Sequence, residues 1–445
     1  SAVGAARSSW ATTCLREALA IFVGGVGLLT DSYDFAIINL VRADLAKLYP
    51  VDDFENSWQR SMITASSIFG AMGGQLLLGY LADSLGRRRL LLISGGLTFA
   101  GALGSACAFD FGSDHVGLWA SLIGWRFVMG FGIGGEYPLS AAHTAEHSRQ
   151  GESGVRLALV FMLFGVGPVL AALNVYICQI AGAPPGFTWR FAFGFGAALS
   201  VLSVSLRYHL VRNSDRFERV QQERQAIEGN GAAADAAKGS GAAGMRDEDM
   251  VVLTCETSSS SSGGGPSSSS SPAAAASGLT TPLLVSTRER LSTFHIMRRY
   301  WRPLLGTTVC WFLYDIIDYG LGLYSDDVLK NLKVGDGEAS TTLAVLITQV
   351  ISLPGCAAAV FLVKRLGRRG LQLFGIFRML LVYITLAVFL SEEGGADGAA
   401  KYPVLMVVLY GLQLNFDYMG PGASTYIIPA ELFPTAALAT CHGLS

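Results

Sequence analysis

Residues 126–141, RFVMGFGIGGEYPLSA, constrain this chain more than any other stretch. With the residues upstream from Val116 they make an apolar run long enough to cross a bilayer, for which about 20 residues are needed. Yet the run holds Arg126, Glu136 and Tyr137, several glycines and Pro138. A carboxylate in hydrocarbon costs about 2.5–3.5 kcal/mol even on the mildest scale, so Glu136 must face a cavity or a partner. The glycines let a neighbouring helix approach closely, and Pro138 frees a carbonyl that protein or water must satisfy. Two readings fit. One is a packed, kinked helix with a structural ion pair; the other has Glu136 and Tyr137 lining a transport path.

Composition agrees with a membrane protein. The 445 residues are 51% apolar and 15% charged, with mean hydropathy +0.43. A net charge of −2 gives no reason to expect a nucleic-acid partner. The seven cysteines are scattered, without CxxC spacing, so neither a disulfide framework, a metal site nor a cofactor is expected. The only GxGxxG-like runs lie inside apolar segments with no strand before them, which argues against an enzyme of the nucleotide-binding type. The sequence begins at Ser1 and stops at Ser445 where another helix starts, and reads as a fragment at both ends. No cleavable leader is expected, because the first apolar run is of full length and contains Asp31 and Asp34.

Apolar runs of spanning length recur near 18–41, 60–82, 89–109, 117–142, 155–180, 188–209, 302–325, 341–363, 371–390 and 402–429, and an eleventh starts near Thr435. Basic residues follow the second run (Arg87, Arg88, Arg89) and the eighth (Lys364, Arg365, Arg368, Arg369). Acidic ones follow the seventh (Asp326, Asp327, Asp336, Glu338) and the ninth (Glu392, Glu393, Asp397). The positive-inside rule places the basic loops and the N-terminus in the cytoplasm. GYLADSLGRRR (79–89) and FLVKRLGRRG (361–370) share Leu-Gly-Arg-Arg six segments apart, the trace of two related halves.

The expected organisation is an N-terminal cytoplasmic segment (1–17), a six-helix half (18–209), a cytoplasmic linker (210–299) and a second half (300–445) cut in its eleventh helix. Within the linker, 221–228 reads as a short helix. The Ala/Gly- and Ser-rich tracts that follow have too little apolar surface to offset the entropy of ordering. They read as a spacer, with phosphorylation of the serines as the regulatory alternative.

Chemistry concentrates in the seventh run, WFLYDIIDYG (311–320). At about 100° per residue, Trp311, Asp315, Asp318 and Tyr319 share one arc of roughly 100°. An indole N–H, a phenol and a protonated carboxyl suit an oxyanion; the plainer reading is an aromatic packing stripe. In the first run, Asp31 and Asp34 lie at i, i+3 on one face.

GFGIGGEYPLSA resembles the fourth-helix signature of the phosphate:proton symporters in the major facilitator superfamily, with Glu136 where that family has Asp. The resemblance runs from about Leu28 to Ser445, apart from the linker. It implies an all-α membrane protein of two pseudo-symmetric six-helix halves, of which this chain covers about ten helices. It implies a transporter, not an enzyme, carrying inorganic phosphate with protons by alternating access, with one copy sufficient, in the plasma membrane. The resemblance implies a proton-linked carboxylate in the first run, Asp34, with Asp31 either a second one or a helix-end or salt-bridge residue; Glu136 and Asp315 are the further proton-coupling candidates, and Tyr137, Trp311, Asp315, Tyr319 and Tyr418 are the candidate substrate contacts. Asp83, Gly86, Arg87, Arg88, Arg368 and Arg369 match the loop motif and, with Arg126, are the gating candidates. The departures are specific. Phe164 stands where the family has a phosphate-binding Gln, Tyr418 replaces an Asn, Asp318 an apolar residue and Lys364 an Asp; Asp417 adds a further acid. An organic phosphate ester, a polyol or sugar, and an organic cation are the alternative substrates. A non-transporting receptor is the alternative of another class.

Overall fold

The computed structural model describes residues 2–49, 58–110, 115–149, 151–211, 214–223, 225–226, 293–322, 329, 337–392 and 401–445. It is helical at every expected run. Six helices make the first half: α1 (Ala2–Leu48), α2 (Trp58–Leu85), α3 (Arg87–Ala106), α4 (Val116–Glu146), α5 (Ser153–Ile180) and α6 (Pro185–Leu210). The second half begins with α7 (Trp301–Gly322). The stretch Glu338–Glu392 is helical throughout except at Gly367 (φ 72°, ψ 171°), where two helices meet, α8 (338–366) and α9 (368–392). Next come α10a (Pro403–Asp417), a π-helical turn (Tyr418–Gly422) and α10b (Ala423–Leu432), then a short α11 (Leu438–Leu444). The serine-rich tract and the acidic residues 326, 327, 336, 393 and 397 lie outside the described residues.

Seven of the described helices are long and apolar enough to cross a membrane, the one broken at Gly367 among them. Large apolar side chains point outward, among them Phe361 (71% exposed) and Leu373 (69%). In water this would be an aggregation surface; in lipid it is the expected one. The protein is an integral, multi-pass membrane protein.

The inner faces explain how the polar residues are placed. A Cβ on Gly130 or Gly134 of α4 would lie 2.0 Å from the carbonyl oxygens of Ser67 and Ala71. A Cβ on Gly74 of α2 would lie 2.0 Å from that of Phe131. These two helices touch backbone to backbone, as small residues permit. In α10 the sequence Tyr-Met-Gly-Pro-Gly forms the π turn, because Pro421 lacks the N–H that a regular helix would use. The turn presents Asp417 and Tyr418 inward, both buried.

The shared Leu-Gly-Arg-Arg sequences are structural counterparts. Gly86 (φ 95°) and Gly367 (φ 72°) both sit in the left-handed region, which L side chains adopt only with strain, and each starts the next helix with an arginine. Residues Asp215–Arg299 form a separate unit. Within it 215–223 and 225–226 are helical, so the short helix begins earlier than its sequence suggested, and a second helix covers Thr293–Arg299.

Candidate functional site

Glu136 of α4 faces Arg207 of α6. The guanidinium holds both carboxylate oxygens, with Nη1 2.7 Å from Oε2 and Nη2 closer still to Oε1. Both side chains are buried. They press on Gly27 of α1, where a Cβ would stand 2.0 Å from Nη2 and 2.2 Å from Oε1. The structural ion pair expected within the fourth segment is therefore made differently. Arg126 is two to three turns from Glu136 along α4, and the cation that answers Glu136 comes from the sixth helix. Arg207 was not legible as a site residue, since an arginine near the cytoplasmic end of a span reads as an ordinary orientation signal.

Arg126 is buried among α2 and α6 groups. Its Nε donates to the Ile63 carbonyl at 2.8 Å, its Nη2 to Ser67 Oγ at 3.2 Å, and its guanidinium carbon lies 5.9 Å from the centre of the Phe193 ring. It exerts its charge on Asp34 of α1. Asp34 is fully buried, and neither of its oxygens has a hydrogen-bond partner. A Cβ on Gly196 would lie 2.1 Å from its Oδ1. Asp31, one turn earlier, is within electrostatic reach of Glu136, Arg207 and Asp34, and its Oδ2 is also without a partner. Arg126 thus belongs to a buried charge cluster, apart from the loop motif with which it was grouped.

An aromatic chamber adjoins these carboxylates. Tyr137 lies 6.5 Å from Trp311 and 6.2 Å from Phe164, and Phe164 lies 6.1 Å from Tyr418. Trp311 also meets His442 of α11 at 5.4 Å, and Tyr319 meets Phe35 of α1 at 5.8 Å. Trp311 is within hydrogen-bonding reach of Asp315, and Tyr137 of Tyr319. On α7 the side chains of Trp311, Tyr314, Asp315, Asp318 and Tyr319 are part-buried, whereas Phe312, Leu313, Ile316 and Ile317 are exposed. The polar stripe therefore faces inward along its whole length, and Tyr137, Trp311, Asp315, Tyr319 and Tyr418 come together where the two halves meet. Tyr314, unremarked in the sequence, belongs to the same stripe.

Two ion-pair clusters at the loop motifs, each formed within one half, are latched to the other half by hydrogen bonds. In the first, Arg87 bridges Asp83 (2.9 Å) and Glu146 (2.8 Å), and donates to the Thr435 carbonyl at 3.0 Å. Asp83 accepts hydrogen bonds from the Thr440 amide (2.9 Å), the Thr440 hydroxyl (2.6 Å) and the Ala439 amide (3.3 Å). It therefore anchors the start of α11 as an anion at a helix N-terminus. In the second, Arg368 holds Glu431 through Nε at 2.5 Å and Nη2 at 2.7 Å, and the Ser153 hydroxyl at the start of α5 donates to Glu431. Lys364, which stands where Asp83 stands in the first copy, cannot cap a helix start. Glu431 takes over that task with its own carboxylate, and the Gly154 amide is among its partners. Arg88 donates to the Tyr208 carbonyl of its own half at 3.0 Å. Arg369 is exposed and lines a cavity of about 330 Å³ with Thr307, Gln372 and Thr425.

A family model described as "Sugar (and other) transporter" matches residues 20–445. The chain belongs to that family. This transporter is 30% identical over 474 residues to low affinity inorganic phosphate transporter 8 of Medicago truncatula, covering 96% of this chain and 79% of that one. It is 29% identical to putative inorganic phosphate transporter 1-13 of Oryza sativa subsp. japonica, covering 98% and 81%. Among solved structures it is similar to the major facilitator proton:xylose symporter XylE bound to 6-bromo-6-deoxy-D-glucose. The TM-score there is 0.68 at 19% identity, covering 97% of this chain and 85% of XylE. The transporter therefore has the major facilitator fold, and it is a carrier, not an enzyme.

Proposed function

We propose that this transporter moves inorganic phosphate together with protons across the plasma membrane by alternating access. The observation that carries the reading is the meeting of Tyr137 on α4 with Trp311, Asp315 and Tyr319 on α7. Two phenols, an indole N–H and a carboxyl that can be protonated converge from both halves, which is what a tetrahedral oxyanion needs. The names of the similar plant transporters point the same way. Asp34 supports proton coupling: burying a carboxylate that has no donor is expensive unless it carries a proton. Glu136 is less suited, because Arg207 occupies both of its oxygens. The two latches give the halves something to break and remake at the face that the positive-inside rule assigns to the cytoplasm.

Phe164 favours a second reading, an organic phosphate ester or polyol whose carbon atoms pack on its ring. Competition against labelled phosphate uptake by glycerophosphodiesters, polyols and organic cations separates these. Phe164→Gln adds a donor to the chamber wall. On the phosphate reading it tightens phosphate binding about tenfold or more, the worth of a hydrogen bond to a charged group. A variant that loses polyol competition and gains no phosphate affinity would favour the second reading.

A further inference from the structure

We propose that Ser32 of α1 is a positioning residue for the chamber: it holds Phe164 in place and so sets which phosphate compounds the chamber accepts. The inference rests on the aromatic chamber being the substrate site. Pro168 lies inside α5. A proline has no N–H for the carbonyl four residues earlier, and its ring presses on that carbonyl. Here the carbonyl belongs to Phe164. The Ser32 hydroxyl donates to it at 2.7 Å, from 132 positions away in sequence. The same hydroxyl lies 3.0 Å from the Leu29 carbonyl of its own helix, so one proton is shared and the shorter contact is the interhelical one.

Both helices are shaped for this contact. A Cβ on Gly167 would stand 2.0 Å from Ser32 Oγ, 2.5 Å from the Leu29 carbonyl oxygen and 2.6 Å from the Tyr33 nitrogen. A glycine beside Pro168 is what lets α1 come so near. On the other side of Phe164, a Cβ on Gly25 of α1 would meet the Val160 carbonyl oxygen at 2.9 Å and the Leu163 side chain at 2.5 Å. The two helices thus touch at two levels that bracket Phe164. Ser32 is buried between them. The residue so held forms part of the chamber wall. Phe164 stacks on Phe161 at 5.3 Å, with 13° between the rings, and meets Tyr137 of α4 at 6.2 Å and Tyr418 of the π turn at 6.1 Å. It therefore touches aromatic groups of both halves. Phe161 is buried, whereas Phe164 is only part-buried, so some of its surface stays accessible.

A tethered carbonyl fixes the peptide from which its own side chain springs. Without the Ser32 hydroxyl, the Phe164 carbonyl loses its interhelical donor beside a proline that cannot replace it, and a buried acceptor left in that state is costly. Phe164 then shifts with its carbonyl, and the wall no longer keeps one width. A looser wall admits larger phosphate compounds at the expense of the inorganic ion. Asp31 and Asp34 stand on either side of Ser32 in α1, so the same bond ties the wall to the helix that carries those carboxylates.

The test measures binding of inorganic phosphate and of glycerol 3-phosphate to the full purified chain, read as the ratio of the two affinities. Ser32→Ala should shift that ratio toward the ester by about two- to tenfold, the net worth of one hydrogen bond. In a Phe164→Leu background, where no ring is left to place, Ser32→Ala should leave the ratio alone. A Ser32 that served stability only would lower thermal stability in both backgrounds and move the ratio in neither. Pro168→Ala returns the missing N–H to α5, so Ser32→Ala/Pro168→Ala should match Pro168→Ala. If Ser32→Ala alone does not fold, this last pair decides. A folded double variant with the ratio of Pro168→Ala supports the proposal; one that fails to fold, or has another ratio, overturns it. A ratio unmoved by Ser32→Ala, or moved equally with and without the Phe164 ring, overturns this inference and leaves the phosphate reading standing. A wild-type chain that binds neither compound overturns the phosphate reading, and this inference with it.

Discussion

Arg207 and Glu136, 71 positions apart, form a buried two-pronged ion pair between the sixth and fourth helices. Removing one partner of such a pair strands a charge in a low-dielectric interior, at a cost of about 3–5 kcal/mol. Arg207→Gln should therefore destabilise the protein by about that much. Glu136→Gln/Arg207→Gln, which leaves no orphan charge between the two positions, should recover most of it. Thermal unfolding of the detergent-purified variants, compared as a double-mutant cycle, gives the answer. Equal losses in the single and double variants would mean that the pair is held by packing alone.

Asp315 offers a test of coupling. A charged carboxylate beside Trp311 and Tyr319 repels an anionic substrate by roughly 4 kcal/mol at about 4 Å and an effective dielectric near 20. A proton there removes the repulsion, so proton and phosphate should favour one another's binding, reciprocally. Asp315→Asn should still bind phosphate, with a flattened pH dependence, and should lose accumulation against a gradient. Binding and uptake in proteoliposomes, measured together, decide it. Uphill transport with an intact pH profile would move the coupling role to Asp34.

Glu431 lies beyond the tenth apolar run, and its titration gives the second latch a pH dependence. Burial acts to raise it, but the hydrogen bonds from Arg368 and Ser153 outweigh burial and hold the carboxyl below its usual range. A depressed carboxylate stabilises the closed latch above its ordinary pKa, and that contribution is lost as pH falls through the depressed value. The latch should therefore be firm at neutral pH and loosen only under distinctly acid conditions. Glu431→Gln should loosen it at every pH. Spin labels at Glu152 and Leu432 report the opening as a broadened or lengthened distance distribution. No change in Glu431→Gln would show that Arg87 and its partners close that face unaided.

Orientation can be read from two exposed positions, Ser84 in the last turn of α2 and Ala181 between α5 and α6. In a background without native cysteines, Ser84→Cys should label only after the membrane is made permeable, and Ala181→Cys should label from outside intact cells. The opposite pattern reverses the topology.

The helices, the repeat and the inward stripe of α7 were legible because each is written locally, as a run of apolar residues or a spacing on one helix. Partners across the fold were not. Glu136 called for a cation, and Arg126 was the one in its own segment, but only tertiary packing shows that Arg207 supplies it. Lys364 in place of an acid looked like a broken motif until Glu431 was seen capping α5. Nor was the burial of Asp417 legible beside the π turn, which the Gly-Pro-Gly sequence signals as irregular without saying which way Asp417 will face.

The backbone contact between α2 and α4 has a mechanical meaning. With the Gly130 and Gly134 positions seated on the carbonyls of Ser67 and Ala71, neither helix can slide or roll on the other without collision. They behave as one beam. Glu136, carried on that beam, keeps its place relative to Asp83 at the other helix's end. A tilt of the first half would thus be felt at the latch and at the buried charge together, with no need for a relay of side-chain movements between them.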